Sequence, residues 1–309
     1  MSIPQTVTKM HATGNDFVVY ADPTGAYEPT PDETRWLCDR HFGVGADGLI
    51  RLAPPKNVSD LTREQIDACG DDGAEWFMDY RNADGSLAEM CGNGTRAITL
   101  FAQRHGFADA PGGAPFRLGT RAGVKTLTSL GAVDGLGSDI FRVDMGAWRA
   151  QTPDSYEVTI PSAQGSAHGT FVDMGNPHVV AVRDFSGFVG VPDRIGAYTL
   201  PDIEDLDLTA KPVVSPELPS DQNVEFVRID SVDASSGVGT ATMRVNERGC
   251  GETLSCGTGL CASAVTLRAL TGIGHWTITV RGGVLRVDVT DTDVHLTGNA
   301  TTVGTIELA

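Results

Sequence analysis

Two cysteines share matched surroundings. Cys91 opens the run Cys91-Gly-Asn-Gly and Cys256 opens Cys256-Gly-Thr-Gly, so each sulfur has glycine at the first and third following positions. Each run leads into a segment of helical length, TRAITLFAQRHG ending near Gly106 in one case and LCASAVTLRAL in the other. Small, flexible residues followed by an apolar run predict a loop feeding a helix. Each thiol is then expected at or just before a first turn, where unpaired N–H groups and the helix dipole favour negative charge. A thiol so placed ionises more readily, and the thiolate is the reactive form. Glycine beside it lets a ligand approach the backbone closely. The two cysteines are 165 residues apart, so they form no local redox motif. Two thiols in matched settings suit removal of a proton from one face of a carbon and delivery to the other.

The elements that must position these thiols can be read in chain order. VTKMHA predicts a strand, and the turn Thr13-Gly14-Asn15-Asp16 leads into a second, FVVY. PDETRWLCDRH reads as a helix starting near Asp32 or Thr34, and LIRLA as a strand. Residues 54–75 are polar, acidic and turn-rich, and read as a surface excursion. WFMDYRNADG is a strand ending in a turn, before Cys91 and its helix. FRLGTRAGVKTL and IFRVDMGAW continue as strand and turn to about Trp148. In the second half, Thr199–Pro219 reads as a loop or irregular connection, with DIEDLDL inside it as a solvated acidic run.

The second half repeats the signals of the first in the same order. TGNDFVV at Thr13–Val19 matches MGNPHVV at Met174–Val180. Met78 and Met243 each lie thirteen residues before their cysteine, and RAGV at Arg121–Val124 matches RGGV at Arg281–Val284. Met145-Gly146 is echoed by Thr297-Gly298. Four short blocks in one order indicate a duplication, two halves of one fold related by a pseudo-two-fold axis. If those halves pack face to face, the two cysteine-bearing helix starts meet across a cleft.

Bulk composition limits the function. The 309 residues are 40% hydrophobic, enough for one or two cores. Asp and Glu number 40 against 23 Lys and Arg, a formal charge of −17, which excludes the basic surface that nucleic acid requires. No apolar run is long enough to span a membrane, so no membrane partner is expected. The opening MSIPQTVTKMHATGNDF shows no signal-peptide core, and the expected compartment is the cytoplasm, where thiols stay reduced. The cysteines show no CxxC pair or HxxxH spacing, so no metal site is expected.

The joint pattern resembles the diaminopimelate epimerases. It is carried by GNDF at Gly14–Phe17, NADG at Asn82–Gly85, MCGNGTR at Met90–Arg96, MGNPH at Met174–His178, ERGCGET at Glu247–Thr253 and SCGTG at Ser255–Gly259. The CGTG piece is shared with relatives of proline racemase; GNDF together with ERGxGET favours the epimerases. The resemblance implies an α/β (α+β) fold of two pseudo-symmetric domains, each a curled mixed β-sheet or barrel wrapped around a central helix. It puts the N-terminal half at 1–146 plus 295–309, the final strand returning to it, and the C-terminal half at 147–294. It implies cofactor-independent epimerisation of LL- to meso-diaminopimelate, for lysine and peptidoglycan synthesis, by a homodimer.

By the same resemblance Cys91 and Cys256 are the two bases. Asn15, Asn82, Asn176, Asn223, Glu247 and Arg248 hold the substrate's polar groups, Arg248 suiting a bidentate carboxylate contact. The backbone of Gly92-Asn93 and Gly257-Thr258 holds the α-carboxylate, and His178 and Glu247 tune the cysteines. The chain departs from many relatives at Ala12, where glycine is usual, and at Gly48, where many carry a substrate-contacting glutamine.

Plainer readings apply elsewhere. Cys38, Cys69 and Cys261 are expected as small buried hydrophobes, and Cys250 without a direct role. Lone asparagines such as Asn82 often serve turns, and His178 could be a satisfied core histidine. Three other functions are consistent with parts of the pattern. They are another amino-acid racemase of the superfamily, a thiol-redox or cysteine-nucleophile enzyme, and a non-catalytic binding protein. A thiol nucleophile needs a resolving cysteine or a histidine base in the motif, and the motif holds neither.

Overall fold

A computed structural model describes residues 2–183 and 198–309. The chain divides into two compact units, Met1–Asp144 with Gly298–Ala309, and Met145–Thr297.

The first unit runs β1 (Thr6–Ala12), β2 (Asn15–Ala21), α1 (Pro31–Cys38), β3 (Gly48–Ala53), α2 (Arg63–Asp71), β4 (Trp76–Asn82), α3 (Gly92–Arg104), β5 (Phe116–Thr120), β6 (Gly123–Val133) and β7 (Gly137–Gly146). The second runs β8 (Arg149–Ala150), β9 (Tyr156–Thr159), β10 (Ala167–Asp173), β11 (Pro177–Arg183), β12 (Val213–Ser215), β13 (Asn223–Asp233), β14 (Val238–Glu247), β15 (Gly251–Thr253), α4 (Gly257–Thr271), β16 (His275–Val280), β17 (Gly283–Val289) and β18 (Val294–Asn299). A last strand, β19 (Thr301–Glu307), lies in the first unit and pairs antiparallel with β1.

The two ladders repeat. In the first unit β1–β2 is antiparallel, β2–β3 parallel, β3–β4 antiparallel, β4–β5 parallel, and β5–β6 and β6–β7 antiparallel. In the second unit β10–β11, β11–β13, β13–β14, β14–β16, β16–β17 and β17–β18 follow the same sequence of senses. A crossover helix joins two neighbouring parallel strands at the same place in each, α3 between β4 and β5, and α4 between β14 and β16. A parallel pair needs such a crossover. Among the described residues β7 does not pair with β19, nor β12 with β18, so each sheet is open rather than a closed barrel.

Each crossover helix is a core element. Every residue of α3 from Gly92 to Ala102 is buried, and so is α4 from Gly259 to Leu267. A helix buried on all faces must be apolar or small-residued throughout, and the buried stretch Gly259–Leu267, GLCASAVTL, is so. α3 departs from that rule at Arg96, which is fully buried. On the other side of the first sheet, Arg51 is also fully buried and pairs with Asp22 at 2.8 Å and Asp79 at 3.3 Å. Arg121 reaches the second oxygen of Asp79 at 2.7 Å.

Two sequence expectations fail locally, and a third, the surface excursion at 54–75, is incomplete. Residues 54–75 hold a 3-10 turn and α2, closed by a Thr62–Gln65 capping box. That helix buries only Cys69, so it carries almost no apolar period. α1 starts at Pro31 on a Thr30 cap and ends at Cys38, because Asp39 turns extended. DIEDLDL is not a solvated run: Ile203, Leu206 and Leu208 are buried against Val179 and Phe226. Its acids alone face outward, Asp202 meeting Arg183 and Arg228.

Candidate active site

Both cysteines are helix N-caps. Cys91 takes the extended conformation, φ −138° and ψ 116°, and its sulfur accepts the Gly94 N–H at 3.4 Å. Cys256 does the same at φ −114° and ψ 114°, its sulfur accepting the Gly259 N–H at 3.4 Å. An N-cap acceptor satisfies one of the donors a helix start leaves over. The sulfur is thereby anchored against the positive end of the dipole, where a thiolate is stabilised.

In the first unit Cys91 is half-buried, and its thiol donates to Asn15 Oδ1 at 3.4 Å. The same oxygen accepts from Asn93 Nδ2 at 3.3 Å, and Asn15 Nδ2 donates to Asp47 at 2.7 Å. Arg96 then fixes the turn beneath. Its guanidinium donates to Asn93 Oδ1 at 2.7 Å, Thr13 Oγ1 at 3.0 Å and the Gly92 carbonyl at 3.2 Å. Asn15 and Asn93 thus converge on the sulfur. Asn82 stands at the end of β4, where its side chain donates to Ser86 Oγ at 3.0 Å within its own turn. Gly48 sits between Phe17 and Asn82 in the ladder. A Cβ there would lie 2.5 Å from the Tyr80 ring and 2.6 Å from the Arg81 carbonyl, so the space of a side chain is already filled.

In the second unit Cys256 is buried and lies beside a chain of polar groups. Its sulfur is 3.6 Å from Thr258 Oγ1, which accepts from Asn176 Nδ2 at 3.3 Å. Asn176 Oδ1 is 3.1 Å from His178 Nε2, and His178 Nδ1 is 2.7 Å from Glu225 Oε1. Asn223 is buried, with its amide 3.5 Å from His178 Nδ1 and its oxygen accepting the Arg248 N–H at 3.0 Å. Glu247 accepts hydrogen bonds from the Thr253 hydroxyl and the Cys256 thiol.

These neighbours set protonation. Burial pushes the Cys256 thiol well above its ordinary range, and the negative charges of Glu247 and Glu225 push the same way. The Thr258 hydroxyl and the Gly259 N–H pull it down by less. Burial likewise raises the Glu247 carboxyl, against its hydrogen bonds from Thr253 and Cys256. Cys256 therefore rests as a thiol.

Three of the other cysteines are buried, as expected of small hydrophobes. Cys38, Cys69 and Cys261 are buried and Cys250 is exposed. Burial pushes Cys38 up to about 12, which leaves it inert. Sequence reasoning missed Glu225 and Arg96 as part of the arrangement. The signal for Glu225 was present: an acid inside the apolar strand NVEFV is seldom buried unless paired.

The chain resembles known proteins over nearly its whole length. The family model described as diaminopimelate epimerase matches residues 7–148 and 170–303. A diaminopimelate epimerase of Thermobifida fusca is 39% identical over 96% of this chain and 94% of its own length. One from Corynebacterium glutamicum is 38% identical over 96% of each. Among solved structures, a phenazine biosynthesis protein of the PhzF family from Bacillus anthracis superposes with a TM-score of 0.61 at 13% identity, covering 98% of both chains. A probable proline racemase from Agrobacterium radiobacter gives 0.59 at 14%, covering 98% of this chain and 92% of its own. Those two likenesses show the fold. The relatives of higher identity and the family match carry more: the chain belongs to the diaminopimelate epimerase family.

Proposed function

We propose that this chain is an isomerase that epimerises LL-2,6-diaminopimelate to the meso form. The observation that carries the reading is the paired N-cap thiol, one in each unit, within a chain of this family. One cysteine, as thiolate, takes the α-hydrogen as a proton. The electron pair left on the α-carbon spreads into the adjacent carboxylate. The other cysteine, as thiol, gives its proton to the opposite face, so configuration inverts and the two sulfurs exchange roles. One proton is shared by the pair, and any measured pKa belongs to both. Burial and the charges of Glu247 and Glu225 oppose loss of the Cys256 proton.

The α-hydrogen is a very weak acid, so the carboxylate must be stabilised as charge develops on it. First-turn N–H groups at Gly92-Asn93 and Gly257-Thr258 are the device, each well-aimed donor contributing about 3–4 kcal/mol. Asn15 and Asn176 position the reacting end. The exposed Arg248 suits the distal carboxylate, with Asn223 holding its backbone. Asn82 and Glu247 complete the polar contacts. We assign the cytoplasm and a homodimeric assembly to the enzyme on the family resemblance; no helix among the described residues is long and apolar enough to cross a membrane. Incubating the protein with a panel of amino acids in heavy water tests the reading. Exchange at the α-carbon of diaminopimelate alone is expected, and exchange of proline or hydroxyproline instead would overturn it.

A further inference from the structure

Among the described residues Glu225 is the one buried acid of the second unit, and neither the motif pattern nor the reaction has a use for it. It lies on β13 between Val224 and Phe226, and its side chain is fully buried. Oε1 is 2.7 Å from His178 Nδ1. Oε2 is buried with no hydrogen-bond partner. The carboxylate presses against the first turn of α4: a Cβ added to Gly259 would lie 2.5 Å from Oε1. The third-position glycine of Cys256-Gly-Thr-Gly therefore has a specific reason here, which is to admit this carboxylate. In the first unit the same ladder position is Ile50, since Val19 faces Ile50 as Val180 faces Glu225. The helix start at Cys91 thus has a methyl group where Cys256 has an acid.

A buried carboxylate is costly to keep unless it is paired, and a half-satisfied one more so. Its retention at this point is explained by what it holds. We propose that Glu225 is a positioning residue for the epimerisation, fixing the His178 ring between β13 and Asn176 and setting a second carboxylate under the first turn that carries Cys256. Glu225 Oε1 and Asn176 Oδ1 hold the two ring nitrogens of His178, and Asn176 in turn holds Thr258 beside the sulfur. The groups around Cys256 in this unit are then Glu225 on β13, Glu247 on β14 and His178 on β11. Glu225 acts on the sulfur in two ways, through the His178–Asn176–Thr258 chain and through its charge, which opposes ionisation of Cys256.

This inference rests on the assignment of Cys256 as a proton-transfer group, and its test reads the sulfur separately from turnover. Glu225→Gln keeps the shape and the acceptor to Nδ1 but removes the charge. Iodoacetamide labelling as a function of pH, with Cys256 and Cys91 followed by peptide mass spectrometry, reports each thiolate. The expected result is a Cys256 midpoint lower by about one pH unit, with a smaller shift at Cys91, and a kcat lowered about tenfold with little change in KM. Non-additivity of Glu225→Gln with His178→Gln in kcat is expected, because one acts through the other. If Glu225→Gln does not fold, Glu225→Ile, the residue of the first unit, is read in the same way. An unmoved Cys256 midpoint with additive or absent kinetic effects would overturn the proposal and leave Glu225 a core residue. If wild type does not epimerise diaminopimelate, the functional reading fails while the labelling still decides the role of Glu225.

Discussion

The two cysteine caps are alike in backbone and unlike in surroundings. Each sulfur accepts the N–H three residues on at 3.4 Å, and each helix is buried from its first turns. Matching the ladders sets Phe17 against His178, Ile50 against Glu225 and Asn15 against Asn176. It also sets Asn82 against Glu247, since Leu49 faces Arg81 as Val224 faces Asn246. Five residues after each cysteine stand Arg96 and Cys261. The first unit thus builds a cation and amides around its thiol, and the second builds two carboxylates and a histidine. Duplication supplied two equivalent helix starts; four of these five paired positions now differ, and around Cys256 burial and two carboxylates oppose ionisation of the thiol.

The comparison can be broken at its root or at its edges. Cys91→Ser and Cys256→Ser are each expected to lower kcat by about 10²–10⁴-fold or more, because a serine hydroxyl is far too weak an acid to take either role. Near-wild-type turnover by either variant in a coupled assay would remove that sulfur from the pair. The next largest effect is expected at Glu247. Its charge opposes ionisation of Cys256, so Glu247→Gln should let the thiolate form at lower pH, by about one unit. In the direction of reaction that starts from the Cys256 thiolate, the rising limb of kcat/KM shifts to lower pH; in the other direction it does not. A pH profile taken from both isomers checks this.

The glycines sharpen the comparison through stability. Gly259→Ala drives a methyl group into the Glu225 carboxylate and should cost about 1–3 kcal/mol. Gly94→Ala meets the end of the Ile50 side chain at 3.1 Å and Cys91 Cβ at 3.4 Å, and should cost less than half as much in thermal unfolding. The smallest effect is expected at Cys250, exposed and outside the cluster, where serine should leave kcat within about twofold.

What the sequence disclosed follows physical lines. Helix starts were legible because glycine-rich caps precede apolar runs, and the repeat was legible because the blocks keep their order. α2 was not, because its sole buried residue is Cys69 and the Thr62–Gln65 capping box was its only marker. DIEDLDL misled because its acids were counted together with the leucines they flank, whereas the chain turns one set outward and the other into the core. At the site, Cys91, Asn15 and Asn93 were named and meet, as do Cys256, Thr258, Asn176, His178 and Glu247. Glu225 escaped notice because its role lies in a register: β11 and β13 are parallel neighbours separated by forty residues of chain, and only their pairing brings it to His178.

The most direct measurement is the early time course of LL-diaminopimelate in heavy water, with deuterium followed separately in substrate and product. Two thiols acting from opposite faces predict that each molecule of meso product carries one solvent deuteron while recovered LL substrate stays unlabelled. Deuterium accumulating in the recovered substrate before product forms would contradict the account, because a single base would then be returning the proton to the face from which it came.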